Sequence, residues 1–308
     1  AQGKINKINI ETKQISNIPF QVNQEIKLAK THRVKRKVFE ENFTSKMIKN
    51  AQTSADGKTL IFTSLGHIYK KELPEGIPTR ITSLSDFEAE PNFTEDGKSV
   101  LFVTWNDENL GAIYQVNIDG SDLKKITQEK GIYRTPSSNS AGSKIVYRKE
   151  SGNGDQGFDY TKKTGIYIAN ADGTSPKRVS KSGEFPTFSS DDKRIFFQTG
   201  GSFFGGLTKK LKSVDLNGKE ERSHFSSKLA NRLVPSKDNK FVAFIHLHKL
   251  FVAPFVMNGS EINVDQNTKS FKVESLSKNA GINLHWSANN KKIHWTLGDE
   301  YFSKSIVN

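Results

Sequence analysis

The sequence predicts an all-β protein, a β-propeller of four-stranded antiparallel blades, and two observations carry that expectation. A polar turn followed by an apolar strand recurs six times along the 308 residues, at the roughly 40–50-residue spacing of propeller blades. Each recurrence also keeps the same core positions in the same register. Helical patterning is nearly absent, and turns rich in Gly, Asp, Asn and Ser recur throughout.

The turn positions are Gly57, Gly97, Gly142, Asp192, Asn239 and Asn290, spaced 40, 45, 50, 47 and 51 residues apart. Glycine is lost from the last three, where Asp and Asn still tolerate tight turns. Three residues beyond each turn stand Leu60, Val100, Ile145, Ile195, Val242 and Ile293. Five beyond stand Phe62, Phe102, Tyr147, Phe197, Phe244 and Trp295. An aliphatic and then an aromatic two residues on share one face of a strand. Between them lie Ile61, Leu101, Val146, Phe196, Ala243 and His294, so the other face is mostly apolar too. A strand apolar on both faces belongs to a sheet covered on both sides.

The remaining strands follow in order. A first strand precedes each turn, with Thr53, Phe93, Ser138, Phe188, Pro235 and Trp286 four residues ahead of it. Third strands read as "HIYKK", "AIYQVNI", "GIYIANA", "KLKSVDL", "KLFVAPF" and "EYFSKSI". Fourth strands read as "TRIT" (79–82), "KKIT" (124–127), "KRVS" (177–180), "ERSHF" (221–225) and "KVESLS" (272–277). A single blade cannot cover both of its apolar faces; a closed ring covers all of them. The sixth unit reaches Asn308 after three strands, which would leave an edge open. "TKQISNI" (12–18) resembles a fourth strand, so residues 1–20 are expected to supply closing strands to one propeller domain over 1–308. "KINKINI" (4–10) adds a surplus third strand, which leaves two alternatives: a seventh blade built partly by the N-terminal 50 residues, or a chain cut from a longer tandem.

Composition excludes several functions. Net charge is +13, from 46 Lys and Arg against 33 Asp and Glu, but the basic residues are dispersed. The densest group, "KTHRVKRK" (30–37), lacks the interleaved aromatics of a single-strand binder, so no nucleic acid is expected as a partner. With no cysteine, zinc-ribbon, thiol-nucleophile and disulfide chemistries fall away. No run approaches the roughly 18 apolar residues of a membrane span, and residues 1–20 lack the charged and apolar segments of a signal peptide.

The repeated "S-x-D-G-K-x-L-x-F … I-Y … D-G … I-T" resembles the TolB-type propeller repeat over residues 50–308. "AQGKINKINIETKQISNIPF" (1–20), "LGHIYKKELPEGIPTRIT" (65–82), "FEAEPNFTEDGKSVLFVTWND" (87–107), "KFVAFIHLHKLFVAPF" (240–255) and "LHWSANNKKIHWTLGDEYF" (284–302) are similar to the bacterial class in which such repeats precede a C-terminal amidohydrolase domain. That resemblance implies that residue 1 falls inside a parent chain and that Asn308 sits just upstream of the catalytic barrel. It also implies a periplasmic or secreted setting, and a metal cofactor in the hydrolase domain with none in these residues.

Catalytic motifs are poorly represented. His246 and His248 in "FVAFIHLHKL" (241–250) have the His-x-His spacing of an amidohydrolase metal pair. Val242 and Phe244 of the repeat already explain that apolar run, however, and the further Asp, Lys and His ligands do not follow. His294 holds a core position and reads as an interior imidazole. There is no Gly-x-Ser-x-Gly elbow, and "TGGSFFGGL" (199–207) lacks the Gly-Lys-Ser/Thr of a phosphate loop. "KESGNGDQGFDYTKKTG" (149–165) is a long mixed-charge insertion. Trp105 offers a rim contact or simple packing. No residue is expected to be catalytic or to hold a metal.

Geometry supplies the binding candidates. First strands line a propeller's channel. Seven residues before the turn stand Asn50, Glu90, Thr135, Phe185, Arg232 and Asn283; eight before stand Lys49, Ala89, Arg134, Glu184, Asn231 and Ile282. The expectation is a polar ring at one channel mouth containing Glu90, Arg134, Glu184 and Arg232, with Glu88, Tyr133 and His285 close by, selecting substrates or chain termini by charge or merely pairing internally. The expected role is a non-catalytic propeller that docks or filters substrate for an amidohydrolase domain. Alternatives are a TolB-like scaffold that binds a protein or peptide, and the gate of a tricorn-like or prolyl-oligopeptidase-like peptidase.

Overall fold

The structure is a computed structural model that describes residues 3–36, 41–153, 158–201, 206–257 and 259–306. The chain divides into two compact units, 1–43 and 44–308, where the sequence suggested one domain. In the first unit Ile5–Ile8 pairs antiparallel with Ile15–Ile18. Its turn is closed by the Asn9 side chain, which accepts from the backbone N–H of Glu11 and Thr12.

The second unit is a six-bladed β-propeller. Its innermost strands are Lys49–Thr53, Phe87–Phe93, Ile132–Ser138, Glu184–Phe188, Ala230–Pro235 and Ile282–Trp286. Each pairs antiparallel with the strand after the turn, and third and fourth strands follow outward. Blade 4 gains a fifth strand, Ile262–Asn263, which runs parallel to Arg222–Ser227. Among the described residues blade 6 has three strands, and the fourth expected from residues 1–20 is not one of them. The hairpin of Gly152–Asn153 with Phe158–Asp159 lies inside the 149–165 insertion. Phe203 and Phe204 of the glycine-rich stretch lie outside the described residues.

Local chemistry explains why the turns recur. All six turn positions adopt positive φ, from 54° at Asp192 and Asn239 to 74° at Gly57, the left-handed region open to Gly, Asn and Asp. Two residues after the first turn's Ser54, Asp56 accepts from both the Ser54 hydroxyl and the Lys58 N–H. Thr94 with Asp96, Ser189 with Asp191 and Ser236 with Asp238 repeat the arrangement.

Packing between blades follows from the strand register. The aliphatic and aromatic of one blade meet the intervening residue of the blade before it. Ile61 packs with Val100 and Phe102, Leu101 with Ile145 and Tyr147, and Val146 with Ile195 and Phe197. Phe196 then packs with Val242 and Phe244, and Ala243 with Ile293 and Trp295. The closing seam, blade 6 to blade 1, sets Tyr301 against Leu60 and Phe62. There His294 holds the position that elsewhere is apolar. Polar bonds finish the seam: Asn283 accepts from the Asn50 N–H at 2.8 Å, and Ile48 N–H donates to Gly298 O.

Candidate functional site

The six inner strands enclose a central cavity of about 520 Å³. Its wall is tiered because each strand contributes four successive residues at matching heights, and the third of these tiers, Gln52, Asn92, Ser137, Thr187, Val234 and His285, is largely polar. The seven-before set, Asn50, Glu90, Thr135, Phe185, Arg232 and Asn283, forms one tier. The next residues, Ala51, Pro91, Pro136, Pro186, Leu233 and Leu284, form an apolar band. Thr53, Phe93, Ser138, Phe188, Pro235 and Trp286 lie beyond it.

Strained backbone shapes the first tier. Asn50, Glu90, Thr135, Phe185 and Asn283 all have φ between 47° and 56°, and each lies in a register break of its inner strand. A non-glycine residue in that region costs about 1–2 kcal/mol, so five repeated bulges mark this height as a built feature. Blade 5 differs. Its break falls between Ala230 and Arg232, and Arg232 lacks the positive φ.

Neighbouring blades satisfy much of the freed chemistry. Glu90, buried at 7% exposure, accepts from the Thr135 N–H at 2.5 Å and from Arg134 Nε at 2.8 Å. Arg134 also reaches Glu150 at 3.4 Å, Arg148 bridges Glu150 at 3.0 Å and Glu184 at 3.3 Å, and Lys209 meets Glu184 at 2.9 Å. Burial pushes the Glu184 carboxyl up, but Lys209, Arg148 and Arg232 outweigh it and hold the group below the usual glutamate range. Arg232 is stacked on Phe185, its guanidinium carbon 3.6 Å from the ring centroid. Burial draws it down to about 10 against the pull of Glu184 and Glu90, so it stays protonated at neutral pH.

The far mouth is closed differently. Lys237 on blade 5 forms an ion pair with Glu95 on blade 2, the opposite blade of a six-membered ring. Other turns at this face bond between neighbours: Glu95 N–H to Ser138 Oγ at 3.2 Å, and Lys237 N–H to Asn290 Oδ1 at 2.9 Å. The cavity is thus a socket with a polar, charged mouth and a far end crossed by a salt bridge.

The sequence-derived candidates fall into three groups. Glu90, Arg232 and His285 line the cavity, while Arg134 and Glu184 belong to the charge network joined to it. Glu88 and Tyr133 lie elsewhere. The fully buried Glu88 accepts from the Ile68 N–H at 3.0 Å and from Thr82 Oγ1, with Arg80 3.8 Å away. Tyr133 sits in the core between blades 2 and 3 and donates to Glu129 O at 2.8 Å. Each stands two residues ahead of a cavity-facing residue, and the register break that follows it leaves it between blades rather than in the cavity. His246 is buried and His248 exposed, on either side of a turn at Leu247. Trp105 bonds Asp107 at 3.1 Å and meets the edge of Tyr160.

Sequence reasoning missed Arg148, Glu150 and Lys209, because they arrive from second and third strands. The pairing of Arg134 with Arg148 across the first hairpin of blade 3 was the available signal. It also missed the pairing of Phe185 with Arg232, and the Lys237–Glu95 bridge. Among the described residues no group of three or more His, Asp or Glu side chains could hold a metal ion, and no helix is long and apolar enough to cross a membrane.

No family profile matches the chain. Solved structures share its fold. A putative TolB from Agrobacterium tumefaciens is 17% identical, covers 99% of this chain and 98% of its own, and superposes with a TM-score of 0.60. An oligogalacturonate lyase in complex with manganese is 14% identical over 83% of this chain and 76% of its own, with a TM-score of 0.58. The tricorn protease is 12% identical over 99% of this chain but 36% of its own, with a TM-score of 0.52. The fold is therefore that of a TolB-like propeller, which the lyase and the tricorn protease also contain.

Proposed function

We propose that the chain is a non-catalytic recognition propeller that docks or filters substrate for a metal-dependent amidohydrolase domain. The observation that carries this reading is the central socket: six inner strands present one tier of polar and charged groups around 520 Å³ of space, above an apolar band. Such a concave, mostly apolar site with a few convergent polar groups suits ligand binding. The resemblance of residues 1–20, 65–82, 87–107, 240–255 and 284–302 to propellers that precede amidohydrolases supports the choice of hydrolase, and the TolB-like fold supports a periplasmic setting. A short peptide segment is of a size to enter such a cavity. The Lys237–Glu95 bridge favours a socket over a through-going pore, and so weighs against the gate of a tricorn-like peptidase.

The test is selection of peptides from a random display library on the 308-residue chain, countered with Thr187→Trp, which fills the cavity wall. Peptides enriched on the native chain and lost on the variant are expected. Enrichment that ignores Thr187→Trp would remove the cavity from the function. Reading the coding sequence beyond residue 308 tests the hydrolase: His-x-His with later His and Asp is expected, and a Gly-x-Ser-x-Gly elbow would point to a peptidase.

A further inference from the structure

We infer that Arg232 on Phe185 is a seat for a single carboxylate, and that the ligand of the socket is a carboxylate joined to an apolar body. The inference rests on the proposed recognition role of the cavity.

Charge accounting comes first. Arg134, Arg148, Lys209 and Arg232 meet Glu90, Glu150 and Glu184 at this mouth, and the exposed Lys49 stands at the Arg134 position of blade 1. Arg134, Arg148 and Lys209 are joined to those carboxylates by ion pairs. Arg232 is joined to none of them. Among the described residues, no hydrogen bond or ion pair engages its guanidinium, although Glu184 and Glu90 are near enough to attract it. A guanidinium carries five N–H donors, and leaving them idle inside a cavity forgoes the strong bonds they make to a carboxylate.

Geometry narrows the ligand. Phe185 covers one face of the guanidinium, which leaves its planar edge for a two-oxygen acceptor. A single unpaired guanidinium with Glu90 and Glu184 nearby favours a monoanion over a doubly charged phosphate. Next in, Pro91, Pro136, Pro186 and Leu233 form the apolar band, followed by a largely polar tier that includes Asn92 and Thr187, with Phe188 and Trp286 beyond that. An anion held at the mouth would therefore lay an apolar group against these residues.

The test is calorimetric titration of the native chain with the tetrapeptide Gly-Gly-Gly-Phe as free acid and as C-terminal amide, and with 3-phenylpropanoate. The acid is expected to bind about 10- to 100-fold tighter than the amide, the worth of one charged hydrogen-bonded contact. Arg232→Gln should abolish that preference and Arg232→Lys restore part of it. A tighter peptide acid than phenylpropanoate assigns the seat to chain termini; parity assigns it to small organic acids, and either result supports the seat. Equal binding of acid and amide, a preference that survives Arg232→Gln, or no binding of any probe overturns it. If acid and amide bind equally and Thr187→Trp abolishes both, the recognition role stands while the carboxylate seat falls.

Discussion

The hydroxyl of Tyr301 lies 2.6 Å from Nδ1 of His294, and this bond begins a chain that seals the propeller. The same hydroxyl is 2.9 Å from Thr53 Oγ1, which is 2.9 Å from His285 Nε2. His285 Nδ1 lies 2.7 Å from Asn283 O. Thr53 belongs to the first blade and the other residues to the last. The sixth seam adds to its apolar cluster a buried hydrogen-bonded network in which His294 Nε2 has no partner among the described residues, and charging either buried imidazole there is costly.

Acid should therefore weaken this seam, and with it blade 4, where burial and the nearby Arg194 and Arg222 lower His224 to about 4 as well. Burial, reinforced by the neighbouring His294, lowers His285 to about 3, and burial with Lys292 nearby lowers His294 to about 4. In the unfolded chain both rings take up protons near about 6.5. The unfolded state binds more protons below that value, so stability is complete above it and falls as pH drops toward 4 and 3. Thermal unfolding scanned from pH 7.5 to 4 should show a loss on the order of a few kcal/mol. His294→Gln should make the slope shallower; an unchanged slope would show that the imidazoles do not control it.

The two-faced strands make the aromatic positions costly to truncate. Phe102 and Phe244 are fully buried, each between two blades. Phe102→Ala and Phe244→Ala should each destabilise by about 3–5 kcal/mol in urea unfolding. Losses under about 1 kcal/mol at both sites would contradict this seam packing.

Backbone strain around the socket gives a prediction of opposite sign. Thr135 is β-branched yet held at φ 47°, and its hydroxyl makes no bond among the described residues. Asparagine tolerates that conformation better. Thr135→Asn should stabilise the protein by about 1 kcal/mol, seen as a higher midpoint of unfolding. Destabilisation would mean that the hydroxyl or its shape matters more than the strain.

The bridge across the far mouth should matter for access far more than for stability. Lys237 and Glu95 are partly exposed, so Lys237→Ala should cost less than about 1 kcal/mol. The chain has no cysteine, which allows a clean probe. With Gln52→Cys in the cavity wall, labelling by a bulky maleimide should accelerate several-fold when Lys237→Ala is added. Equal rates would show that the bridge does not bar entry.

Much of the cavity is legible in the sequence because strand alternation and a repeated register are local properties. All six residues seven positions before the turns do line it. Glu88 shows the limit: it sits two residues from Glu90, on the same side of an ideal strand, but the register break between Ala89 and Asn92 separates their surroundings. A bulge is decided by how the strand meets its neighbour, and no spacing rule reports it.

The amino-acid order by itself determined a propeller with six repeated units, the register of its core positions and the turns between strands, while leaving a seventh blade open, since a turn and the alternation that follows it are local and recur along the chain. Only the closed ring decided that Arg232 would stack on Phe185, that Lys237 would reach Glu95, and that Thr53 would bond His285. Those partners lie 47, 142 and 232 residues apart. Side chains so far apart in sequence meet because the apolar seams between blades fix the ring's circumference, and chemistry that crosses a ring exists only once the ring is shut.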